Sequence, residues 1–142
     1  MKKITLLNFF IIITGFFLPT IIGLSFASIR SPELLFPVKE IADVFFLSGL
    51  LNCIPFIVVA ALIKITQNTK YIPGNIGAVI AVFGVSIFFN IIYWLDLTSE
   101  SPSSTGGLIF FFLPFYGCLS IPFGYVIGHG IGLFINSLFK KK

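Results

Sequence analysis

Residues 105–132 read TGGLIFFFLPFYGCLSIPFGYVIGHGIG, a run without an acidic or basic side chain except His129. A stretch this long and this apolar reads as a membrane-spanning helix. Within it Gly117, Ser120, Gly124, Gly128 and Gly132 recur at spacings of three and four, which at about 3.6 residues per turn draws them into one stripe along one side of the helix. Small residues let a partner backbone come close, and in lipid it is this close packing, with interhelical hydrogen bonds, that joins helices. Two uses of the stripe are open: packing within the chain, or contact with another subunit. Gly15, Gly23 and Ala27 near the start of the chain, and Gly77, Ala81 and Gly84 in its middle, have matching spacings and are candidate complements.

The rest of the chain is of the same kind. Of its 142 residues 57% are apolar and 10% charged, and the mean hydropathy is +1.08. Soluble domains carry about 25% charged residues. Four apolar runs take up most of the length, and no polar segment between them is long enough to bury a core of its own. The formal charge of +4 does not point to nucleic acid, because the lysines sit at the ends of apolar runs, where they orient a chain in a bilayer. The abundance of Phe, Ile, Lys and Asn suggests an AT-rich bacterial genome, and hence a bacterial inner membrane. Cys53 and Cys118 both lie inside apolar runs, where a thiol behaves as a small hydrophobe.

The first span covers residues 4–28, after Lys2 and Lys3, and Pro19 is expected to bend it. Its length exceeds the core of about 7–15 residues in a secretory signal, which favours an uncleaved helix. The second span covers 41–65, the third 76–97 and the fourth 107–139. Pro73-Gly74 in the segment TQNTKYIPGN, residues 66–75, is a turn signal between the second and third. The third span ends with Tyr93 and Trp94, where interfacial aromatics belong, and the Ser and Thr residues of 96–106 can cap the fourth. That fourth span would measure about 48 Å against a hydrocarbon core of about 30 Å. It must tilt, protrude or break, and Pro114 and Pro122 are the places to break it. A loose match of Phe45-Phe46-Leu47 with Cys53 to Phe111-Phe112-Leu113 with Cys118 hints at a repeat of two helices, but Phe-rich sequence makes such matches by chance.

Orientation follows from the basic residues. With the N-terminus inside, the cytoplasmic side holds Lys2, Lys3, Lys64, Lys70 and Lys140–Lys142, and the outside only Arg30 and Lys39. Both termini are therefore cytoplasmic. Glu33, Glu40, Asp43, Asp96 and Glu100 then form an acidic rim on the outer face.

Polar side chains inside apolar helices need partners, so their positions carry information. Ser48 and Asn52 share a face of the second helix, and Ser86, Asn90 and Tyr93 a face of the third. In an antiparallel pair turning at Thr69, Ser48 lies opposite Asn90 and Asn52 opposite Ser86. The two stripes should meet in the outer half of the membrane, either as interhelical hydrogen bonds or as the lining of a small polar pocket or path. His129 invites a proton-transfer role, but its place near the cytoplasmic end of the fourth helix suits a simple hydrogen bond to a carbonyl or water. No cluster with metal-ligand spacing and no nucleophile, phosphate-loop or paired-carboxylate motif stands in the sequence.

The expectation is thus an all-α integral membrane protein: a single domain of four transmembrane helices in an up-down bundle, with the lipid bilayer as its surroundings and no cofactor. Its leading function is that of a structural or accessory subunit of a membrane assembly, without enzymatic activity, that meets either another membrane protein or copies of itself. The alternative is a homo-oligomeric channel or transporter for ions or small solutes, using the stripe of Ser48, Asn52, Ser86, Asn90 and Tyr93. An intramembrane enzyme ranks third.

Overall fold

The computed structural model describes residues 2–30, 38–66, 71–97, 99 and 108–139. Its regular structure is four α-helices: α1 (Lys2–Arg30), α2 (Val38–Ile65), α3 (Ile72–Leu97) and α4 (Leu108–Phe139). Each is long and apolar enough to cross a membrane. A chain with so little polar side-chain surface satisfies its backbone groups internally, and the helix does this within one segment.

Two helix starts differ from the sequence reading by three residues or more. Helix α2 begins three residues before the expected start, at Val38, taking Lys39 and Glu40 into its first turn. Helix α3 begins at Ile72 rather than Ile76, because Pro73-Gly74 forms its first turn instead of the reversal before it. Proline is well placed there: its fixed φ suits the helix and its missing N–H would have had no intrahelical acceptor. Helix α4 runs unbroken through Pro114 and Pro122, and α1 through Pro19. Of the Ser and Thr residues in 96–106 expected to cap α4, Ser99 instead donates back to Asp96 O at the end of α3, 2.7 Å away; the others, and the turn centre at Thr69, lie outside the described residues. So do Glu33 and Glu100 of the acidic rim; of the others, Asp43 is exposed and Asp96 half-buried.

The helices alternate in direction, but neighbours in space do not follow chain order. Helix α3 lies along α4 and α1 along α2; the remaining close pairs include α2 with α4 and α1 with α3, both parallel, while α2 and α3 meet less extensively. The core sits where the four converge, with Phe56, Val59, Val82 and Leu113 each no more than 1% exposed. Phe56 and Phe83 pack edge to face there, ring centroids 4.8 Å apart.

The stripe on α4 is used inside the chain. A methyl group added to Gly124 would meet the carbonyl oxygen of Gly77 and come within 2.5 Å of Ala81 Cβ, and one on Gly128 would meet the Pro73 carbonyl and Gly77 Cα at 2.9 Å. Gly132 packs on Pro73, while Gly117 faces Pro55 of α2. The half-buried Ser120 turns its hydroxyl onto the Gly117 carbonyl of its own helix, 2.7 Å away. Of the candidate complements on α3, Gly77 and Ala81 take part and Gly84 faces open space. Gly15 and Gly23 of α1 serve other contacts, against Phe56 and against Phe45 with Trp94.

Candidate functional site

Ser48, Asn52, Ser86 and Asn90 are all buried, at 3%, 0%, 0% and 0% exposure. Two ring contacts fix their register. Phe45 lies against Trp94, centroids 5.8 Å apart, and Phe56 against Phe83. Between these contacts the antiparallel register of α2 and α3 sets Asn52 level with Ser86 and Ser48 level with Asn90, within one residue. The four form a polar layer bracketed by the two aromatic pairs. Tyr93, the fifth member of the expected stripe, is only half-buried and sits edge-on to Trp94.

The hydrogen bonds run differently from the expected cross-pairing. Asn52 does not bond Ser86. Its Nδ2 donates to the carbonyl of Gly15 on α1 at 2.6 Å. Proline at position 19 explains this choice. Having no N–H, Pro19 cannot supply the helical bond that the carbonyl four residues earlier would accept, and that carbonyl belongs to Gly15. The amide of Asn52 replaces the missing donor. Ser48 donates to Phe45 O at 3.0 Å and Asn90 Nδ2 to Ser86 O at 2.8 Å, both within their own helices. Within this layer three buried atoms have no hydrogen-bond partner among the described residues: Asn52 Oδ1, Ser86 Oγ and Asn90 Oδ1. An orphaned buried polar atom costs about 1–3 kcal/mol, so this layer is the least compensated part of the core.

Other polar side chains also make contacts between helices, and the buried Oδ1 of Asn8, like that of Asn52, has no partner among the described residues. Asn8 Nδ2 donates to Ala60 O at 3.0 Å, a second link between α1 and α2 that the sequence reading missed. At the junction of α2 and α3, Thr66 Oγ1 donates to Asn75 Oδ1 at 2.9 Å. This contact was also missed, since Asn75 had been placed in a loop. His129 stacks parallel to Tyr125, centroids 6.3 Å apart, and its buried Nδ1 meets no carbonyl or other hydrogen-bond partner among the described residues. Cys53 and Cys118 are free thiols, and among the described residues no three His, Cys, Asp or Glu side chains come together as metal ligands.

Two open grooves lie on the surface formed by the described residues. One, of about 560 Å³, runs over the junction of α3 and α4 between Ile76, Ile80, Ile127 and Ile131; the other, of about 500 Å³, lies between Leu7, Ile63 and Val79. Both are lined almost wholly by apolar side chains.

Comparison with protein-family models, with curated proteins and with solved structures finds no match.

Proposed function

We propose that the protein is a multi-pass subunit of a bacterial inner-membrane assembly, with both termini cytoplasmic, and that its role is structural or accessory. The observation that carries this reading is the contrast between its surface and its centre. The surface is apolar over the length of the helices, with Phe115, Phe123 and Val126 of α4 among the most exposed side chains, as suits a chain in contact with lipid or with a neighbouring membrane protein. The centre is closed: one turn from the polar layer, Phe56 and Val82 fill the middle of the bundle. Small-residue packing holds the helices of the chain to one another, so a partner meets the outer face rather than the glycine stripe.

The rival reading, an oligomeric channel or transporter, is favoured by the partnerless oxygens of Asn52, Ser86 and Asn90. A path through one chain would have to pass the Phe56–Val82 plug, so conduction would need a route between copies.

Gentle extraction from native membranes, followed by measurement of the mass and composition of the particle, tests the choice. Other polypeptides in fixed ratio are expected. A ring of identical copies that passes ions or small solutes in liposomes would overturn the accessory role.

A further inference from the structure

We propose that the polar layer between α2 and α3 is a binding site for a single ordered water molecule, bridging Asn52 Oδ1, Ser86 Oγ and Asn90 Oδ1. The chemistry of the three atoms selects the guest. One N–H of each amide is committed, Asn52 to Gly15 O and Asn90 to Ser86 O, and the atom that each amide leaves without a partner is its carbonyl oxygen, which can only accept. Ser86 offers a hydroxyl that can donate. A molecule that fits must give two protons and take one, which is what water does at a three-coordinate buried site.

A cation would suit the oxygens but not the surroundings. Every group in the layer is neutral, Asp43 lies exposed more than a turn beyond Ser48, and Asp96 lies more than a turn beyond Asn90. An unpaired charge is costly to bury. The level of the site is fixed by the register of the two ring contacts, and the orientation of the amides by their hydrogen bonds. The aromatic pairs Phe45–Trp94 and Phe56–Phe83 close the layer at either end. The water is therefore held rather than passing through, and it turns over slowly with respect to tumbling of the protein.

The test is nuclear magnetic resonance of the whole chain in lipid nanodiscs, with nitrogen-15 in the asparagine side chains. Cross-peaks at the water frequency are expected to the side-chain amides of both Asn52 and Asn90, with the sign of a water that tumbles with the protein. In Asn90→Leu the cross-peak to Asn52 should be lost. Absence of the cross-peaks in the native chain overturns the proposal, and so does their persistence at Asn52 in the variant. Amide shifts that titrate with sodium, potassium or ammonium at constant ionic strength would show an ion in the site instead. If Asn90→Leu does not fold, the spectrum of the native chain decides alone.

Discussion

Helices α3 and α4 and helices α1 and α2 solve one problem in two ways. Between α3 and α4 the contact is made by leaving side chains out: at Gly77, Gly124 and Gly128 the backbones come so near that an added methyl would meet main-chain atoms of the other helix. Between α1 and α2 polar side chains reach across to the partner backbone, Asn52 to Gly15 O and Asn8 to Ala60 O. The first seam depends on dispersion and shape; the second has one such approach, Gly49 against the Phe16 carbonyl, and adds hydrogen bonds whose strength reflects what else the acceptor can find. In an apolar medium both are available, because apolar burial alone gives helices little reason to associate.

The largest effect is expected at the α3–α4 seam. Gly124→Leu and Gly128→Leu push a side chain into backbone that cannot move aside, and each should cost at least about 3 kcal/mol or abolish the fold. Unfolding in detergent mixtures measures this, and a native-like stability would break the claim that the seam is backbone on backbone. Next comes Asn52→Leu, which leaves the Gly15 carbonyl without a donor and should cost about 1–3 kcal/mol. In a Pro19→Ala background residue 19 regains an N–H for that carbonyl, so the same substitution should cost less than half as much. Equal costs in the two backgrounds would remove Pro19 from the explanation.

Asn8→Leu sharpens the same point. The Ala60 carbonyl keeps its helical donor from residue 64, so losing Asn8 should cost about 1 kcal/mol or less, well below the loss at Asn52. The smallest effect has the opposite sign. Gly84 and Gly130 face open space, and replacing either with Ala should leave stability unchanged or raise it by up to about 1 kcal/mol through helix propensity alone. A large loss at Gly84 would mean that its face is covered by something outside this chain.

Much of this was legible in the sequence, for reasons that mark where reading had to stop. The four helices follow from hydropathy, because a run of about 20 apolar residues has few other fates. The polar layer follows from spacing, and the register of Ser48, Asn52, Ser86 and Asn90 was set by symmetry about the turn. Their hydrogen bonds were not legible, since Asn52 had a competing acceptor on a helix that chain order did not point to. The signal was present: a proline at position 19 names the carbonyl at position 15 as lacking a donor. The stripe on α4 was equally plain, but with small residues also on α1 and α3, spacing alone offered several partners. Only the spatial order of the helices chose Gly77 and Ala81 and left Gly84 out. The start of α3 was missed because Pro-Gly is favourable both in a turn and in a first helical turn.

The central claim is that Gly124, Gly128 and Gly132 of the α4 stripe are covered by α3 of the same chain. Phe89 of α3 and Tyr116 of α4 stack with centroids 5.1 Å apart, which makes them a reporter pair. In a chain whose two native cysteines are replaced, Phe89→Cys and Tyr116→Cys should be joined by a short thiol cross-linker in native membranes. The product is expected to be a single chain, with no link between two differently tagged copies expressed together. Cross-links found mainly between the tagged copies would place α4 against a neighbouring molecule and contradict the account.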